Sequence, residues 1–227
     1  MNLEPTYILA RTLLKVPLRA WFRWTIEGLT NVPASGGAVL AFNHIAYLDP
    51  LAAAYVIDEA HRRPRFLGKA ELFADRRIGW ILKGAGQIPV HRGTRDAPAA
   101  LDKALQALDR GEIVAIFPEG TITTDRDLQP MKAKTGISRM ALRTGAPVIP
   151  AAIWGTANIW GKGTKKHWWP PRQDICVRIG TPMQIDGDPE SPHDWEVAGT
   201  RIMNEISLLL AGLRPMIPDR RKVQRVA

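Results

Sequence analysis

The chain has 227 residues, of which 45% are hydrophobic, enough for one sizeable core and too apolar for a disordered chain. A net charge of +9 and a pI near 10.0 exclude an indifferent surface and favour an anionic partner: nucleic acid, an anionic lipid surface or a phosphate-bearing substrate. The single cysteine, Cys176, excludes an internal disulfide and any multi-cysteine zinc site, and its neighbours Ile175 and Val177 suit a core thiol.

In chain order, residues 7–24 come first. Arg11, Lys15, Arg19 and Arg23 recur every four positions, while Leu9, Leu13, Leu14, Val16, Trp21 and Trp24 fall mostly opposite them on a helical wheel. The spacing predicts a basic amphipathic helix, kinked or split at Pro17, too charged to span a bilayer and without a cleavable signal pattern. Two placements fit: flat on an anionic membrane with Trp and Arg at headgroup depth, or packed by its apolar side on the protein. From there the pattern alternates. Strand-like runs lie at 22–27, 38–42, 65–68, 87–90, 113–117, 148–153 and 175–179, and helix-like runs at 50–60, 77–83, 98–108, 134–143 and 194–213. We therefore expect a single α/β sandwich around a mainly parallel sheet, with residues 1–24 as an N-terminal amphipathic segment, 25–213 as the globular unit and 214–227 as a basic tail.

The centre of interest is Asn43-His44-Ile45-Ala46-Tyr47-Leu48-Asp49-Pro50, between a buried-strand signal and a helix start with Asp49 as N-cap. Five positions apart on an ideal helix, His44 and Asp49 point in different directions, so their meeting requires a turn, which the flanking signals predict. A neutral imidazole whose other ring nitrogen faces a carboxylate can take a proton from a hydroxyl near neutral pH. The competing reading is a capping aspartate beside a turn histidine with no chemistry. Downstream, Lys69 and Arg92 close the strand-like runs at 65–68 and 87–90, and Phe117-Pro118-Glu119-Gly120-Thr121 ends the run at 113–117. In open α/β sheets, ligands gather at that edge. Gly120 suits the turn; turn chemistry gives no reason for Glu119.

Taken together, Asn43-His44 with Asp49, Lys69-Ala70-Glu71, the stretch 86–92, Phe117 through Thr121 and Ala146-Pro147-Val148-Ile149-Pro150 resemble, in order and spacing, the glycerolipid acyltransferases of the lysophosphatidic acid (1-acylglycerol-3-phosphate) acyltransferase type over residues 25–183. The resemblance implies acyl transfer from an acyl-thioester, acyl-CoA or acyl-ACP, to a hydroxyl of a lysophospholipid or glycerol phosphate, with no cofactor, no metal and no covalent acyl-enzyme. It implies His44 as general base and Asp49 as its orienting partner, with Lys69, Arg92, Glu119, Gly120 and Thr121 at the acceptor site. Lys134, opening a helix, offers a further cation and amides to an anion. The implied setting is the cytoplasmic face of the cell membrane, peripheral or monotopic, with no nucleic-acid partner. In one respect the chain departs from the family, which often has Arg after Glu-Gly-Thr where Ile122 stands here; the nearby substitutes are Lys132, Lys134 and Arg126.

Trp154, Trp160, Trp168 and Trp169 alternate with Lys162, Lys165, Lys166, His167 and Arg172 in a loop fit for a headgroup layer, for stacking on bases or for packing on the sheet. A serine hydrolase elbow, Gly-x-Ser-x-Gly, is absent, and His61, His91, His167 and His193 lack ligand-like spacing with His44. The rivals to the reading above are a non-catalytic membrane- or nucleic-acid-binding protein, and an acyltransferase for a different lipid or glycolipid acceptor.

Overall fold

The computed structural model describes residues 5–91, 97–169 and 171–220. Its strands are β1 (Phe22–Glu27), β2 (Ala38–Phe42), β3 (Pro64–Lys69), β4 (Ile88–Val90), β5 (Ile113–Ile116), β6 (Val148–Trp154) and β7 (Gln173–Ile179). They form one seven-stranded sheet in the order β1-β7-β6-β2-β5-β3-β4. Every neighbouring pair is parallel except β6 and β7, so the expected mainly parallel α/β sandwich is what folds.

β2 sits at the middle because all five of its residues are apolar and buried, as a strand covered on both faces demands. Its side chains alternate between two cores. Ala38, Leu40 and Phe42 pack with Ala53, Val56 and Ile57 of α2 (Asp49–Glu59), while Val39 and Ala41 meet the other layer. That layer is α5 (Ala97–Asp109), α6 (Thr135–Thr144) and α8 (Pro192–Leu213), which contribute Leu101, Ala104, Ile137, Met140, Ile202 and Ile206. Truncating Phe42 to Ala, at the junction of sheet and α2, costs about 3–5 kcal/mol.

Three short or terminal helices shape the edge where the parallel strands end. α3 (Ala70–Ala74) and α7 (Thr156–Trp160) follow directly on β3 and on β6, and α4 (Gly79–Gly84) leads into β4. With five residues each, α3 and α7 are too short to show a helical period, and the sequence pattern does not predict them. At the other extreme, α1 (Pro5–Trp21) is one continuous helix through Pro17 rather than a pair.

The orientation of α1 differs from the expected packing of its apolar side on the protein. Its basic side faces the protein: Arg11 bonds Asp58, and Lys15 reaches Asp58 at 2.5 Å and Glu59 at 2.9 Å at the end of α2. Asp58 is only 7% exposed, and a carboxylate drawn out of water at that depth needs cations, which decides which face turns inward. Tyr7 and Leu18 turn inward with the basic side, and the remaining apolar side chains are left outside, with Leu13 59% and Val16 63% exposed, beside Ile8, Leu9 and Trp21. Trp24, in β1, does turn inward, stacking on Tyr55 at 4.2 Å and donating to the Leu18 carbonyl at 2.9 Å.

Candidate active site

Because β2, β3, β5 and β6 run parallel, their C-terminal ends share one edge, and the chain places a turn or short helix after each. The turn after β2 is built by side chains bonding backbone. Asn43, fully buried, accepts from the Ile153 amide at 2.7 Å and donates to the Ile153 carbonyl at 3.0 Å, extending the β2–β6 ladder by one side chain. The next residue, His44, leaves the sheet. Its amide donates to Glu119 Oε1 at 2.7 Å and its carbonyl accepts from the Thr123 amide at 2.8 Å, tying the turn to the loop after β5.

The His44 ring meets Asp49: Nδ1 lies 2.9 Å from Asp49 Oδ2. Asp49 is not the N-cap of α2, a place taken by Leu48. Instead its carboxylate reaches back across the turn. Oδ2 also accepts from the Ile45 and Ala46 amides at 2.6 and 2.7 Å, and Oδ1 accepts from the Thr156 hydroxyl at 2.6 Å. With every donor around it pointing at an acceptor-only group, the pairing assigns the ring proton to Nδ1 and leaves Nε2 to accept one. The ring stacks on Phe117 at 4.4 Å, which fixes its plane.

Glu119, expected at the acceptor, is 2% exposed and is not among the residues lining the cavity beside His44. Its second oxygen accepts from the Met131 amide at 3.0 Å, so the carboxylate joins two loops behind His44. Burial pushes its pKa up against the pull of the Met131 and His44 amides. It is a buried brace.

His44 lies in the wall of a cavity of about 760 Å³. At one end the exposed side chains of Lys69, Thr121 and Lys162 stand around it, with Gly120, Tyr47, Ile122 and Trp160. The rest is lined mainly by apolar groups, among them Leu51, Ala54, Phe66, Phe73, Ile81 and Leu82, between α2, β3 and α4. α1 contributes Leu14 and Leu18, and the far end reaches Tyr7, Arg11, Lys15 and Asp58. An apolar chamber opening beside a proton acceptor and cations can take a molecule with a hydrocarbon tail and an anionic head.

Of the residues singled out in the sequence, the fold gathers His44, Lys69, Gly120 and Thr121 on this wall, with Asp49 directly behind the ring. Lys134 is exposed behind Gly120, and neither it nor Lys132 nor Arg126 lines the cavity; Lys132 bonds Glu196 instead. Arg92 lies outside the described residues. Thr156 is not singled out in the sequence, whereas Phe117 enters only as part of the motif 117–121 and Lys162 only as a cation of the Trp-rich loop, neither with a place beside His44. The signal for Thr156 is a polar residue two steps beyond the end of a buried strand. Among the described residues no group of His, Cys, Asp and Glu is placed to hold a metal, and no helix is long and apolar enough to cross a membrane.

Residues 23–154 match the Acyltransferase family. The chain is 29% identical over 161 residues to a chloroplastic 1-acyl-sn-glycerol-3-phosphate acyltransferase of Brassica napus, covering 70% of this chain and 45% of that one. With a 1-acyl-sn-glycerol-3-phosphate acyltransferase of Borreliella burgdorferi it shares 31% over 159 residues, 69% of this chain and 62% of the other. The chain thus spans less than two thirds of the length of either relative. The fold is like that of the 1-acyl-sn-glycerophosphate acyltransferase PlsC of Thermotoga maritima, with a TM-score of 0.66 over 91% of this chain and 79% of that one at 22% identity. The matched stretch runs from β1 to the end of β6 and so contains the turn, the buried carboxylate and the loop after β5 on which the geometry above depends; the chain belongs to the Acyltransferase family.

Proposed function

We propose that the protein transfers a fatty acyl group from an acyl-thioester, acyl-CoA or acyl-ACP, to a hydroxyl of a lysophospholipid or glycerol phosphate, with 1-acylglycerol 3-phosphate as the acceptor and phosphatidic acid as the product. The observation that carries this is the His44 ring, held by the buried Asp49, in the wall of an apolar chamber rimmed by cations. His44 Nε2 takes the proton of the acceptor hydroxyl as its oxygen attacks the thioester carbonyl, and Asp49 stabilises the imidazolium that forms. The tetrahedral intermediate then expels the thiolate, which takes up the proton from His44. A thioester is already activated, so a covalent acyl-enzyme is unnecessary and holding the two substrates together supplies much of the acceleration. Lys69, with Arg92, meets the acceptor's phosphate; Gly120 and Thr121 form the wall beside it.

Membrane attachment on the cytoplasmic face is part of the same reading. The exposed apolar side of α1 and the exposed Trp80 and Trp169 support it, rather than a stripe of free arginines. The test is a purified-protein assay over a panel of acyl-thioesters and acceptors, reading thiol release and the position of the new ester. Release of thiol that requires His44 and a phosphate-bearing acceptor is expected; no acceptor-dependent release from any pair sinks the proposal. For attachment, Leu13→Glu with Val16→Glu should abolish flotation with anionic liposomes, and undiminished flotation overturns that part.

A further inference from the structure

Four cations line the cavity, and two of them are spent. Arg11 and Lys15 are bonded to Asp58 at the far end, whereas Lys69 and Lys162 make no ion pair among the described residues. Lys162 is brought there by the backbone. Gly161 forms an antiparallel bridge with Ala46, and the Tyr47 amide donates to the Trp160 carbonyl at 3.1 Å, so the chain just before Lys162 is registered against the His44 turn. The close of α7 favours a glycine there, since a Cβ on Gly161 would lie 2.8 Å from the Ala157 carbonyl oxygen. α7 therefore works at both ends, its first residue bonding Asp49 and its last delivering Lys162 to the rim. The surrounding rings stiffen that rim, with Tyr47 and Trp160 at 5.4 Å and the Lys166 ammonium 4.2 Å over Trp160.

We infer that Lys162 is a specificity-determining residue that binds the phosphate of the acceptor, acting with Lys69 in the cavity that His44 also lines. Two exposed ammonium groups without carboxylate partners among the described residues, lining the same apolar chamber as a proton acceptor, fit a phosphomonoester whose neighbouring hydroxyl is to be deprotonated. A thioester donor can also carry phosphate, and the assignment here is to the acceptor. The inference rests on the acyl-transfer reading above.

The experiment compares the wild type, Lys162→Ala, Lys162→Arg and Lys165→Ala, the last removing a charge of the same loop that does not line the cavity. Turnover is followed by thiol release with 1-octanoylglycerol 3-phosphate or 1-octanoylglycerol as acceptor, and binding of the phosphorylated acceptor by calorimetry. Lys162→Ala should raise the KM for the phosphorylated acceptor, and lower the preference for it over the unphosphorylated one, about ten- to hundredfold. Lys162→Arg should restore most of that preference, and Lys165→Ala should leave it in place. An unchanged acceptor KM, an equal effect of Lys165→Ala, or a rise confined to the donor KM overturns the inference. If the wild type binds the phosphorylated acceptor through Lys162 yet releases no thiol, only the acyl-transfer reading fails. A turning-over enzyme whose acceptor binding ignores Lys162 discards the inference alone, and a protein that neither binds nor turns over discards both.

Discussion

The His44 turn and α1 border the same cavity and are held by opposite means. In the turn each polar group lies out of water and has a short partner: Asn43, Asp49 and Glu119 together accept from seven protein donors, five backbone amides, the Thr156 hydroxyl and the His44 ring. α1 is fastened by long side chains at the edge of solvent, with Arg11 39% exposed, and it leaves its apolar side in water. Satisfied buried networks fix geometry, because leaving any one group unpaired is costly; half-exposed ion pairs hold a segment in place with little net stability. The part that must aim a ring is built the first way, and the part that covers the chamber the second.

The sharpest way to break this contrast is His44→Ala. Turnover should fall by about two to four orders of magnitude while far-ultraviolet dichroism and acceptor binding persist. A variant with near wild-type thiol release would remove the turn from the chemistry altogether.

Thr156→Val probes the support behind the ring. It withdraws the donor from a buried carboxylate oxygen, so unfolding in urea should show a loss of about 1–3 kcal/mol. Turnover should drop about ten- to hundredfold as the ring's aim loosens. If stability falls and turnover does not, Asp49 positions nothing.

Glu119 gives a pH test. Burial raises its pKa in the folded state, so its contribution to stability is full below the ordinary carboxylate value and is lost as pH rises through the raised one. Urea midpoints followed from about pH 4 to 7 should therefore show Glu119→Gln gaining on the wild type as pH rises, from a lower start because its amide nitrogen faces an amide donor. Parallel curves would mean that the carboxylate is not strained by burial.

The smallest effect is expected at α1. Leu13→Glu with Val16→Glu lies on the exposed side and should change the unfolding free energy by no more than about 0.5 kcal/mol, despite two apolar residues lost. A loss of several kcal/mol would show that this face packs on something in solution.

Much of the fold was legible in the chain. β2 begins and ends where its apolar run does, because a strand covered on both faces has no polar position to blur its ends. Residues 192–213 form a helix close to the predicted one for a similar reason, with Ser191 capping it through the Asp194 amide. The short helices escaped because five residues complete barely more than one turn, and α7 is the one that supplies Thr156 and ends two residues before Lys162.

By itself, the sequence determined the parallel-rich sheet and the meeting of His44 with Asp49, since both follow from local patterns: apolar runs, turn residues and a spacing that closes only around a bend. Only the tertiary structure decided which face of α1 looks outward, that Glu119 is buried between two loops, and that Lys162 lines the cavity. Each of those depends on a partner far away in the chain, Asp58 for Arg11, Met131 and His44 for Glu119, Ala46 for Gly161, and no periodicity records a distant partner.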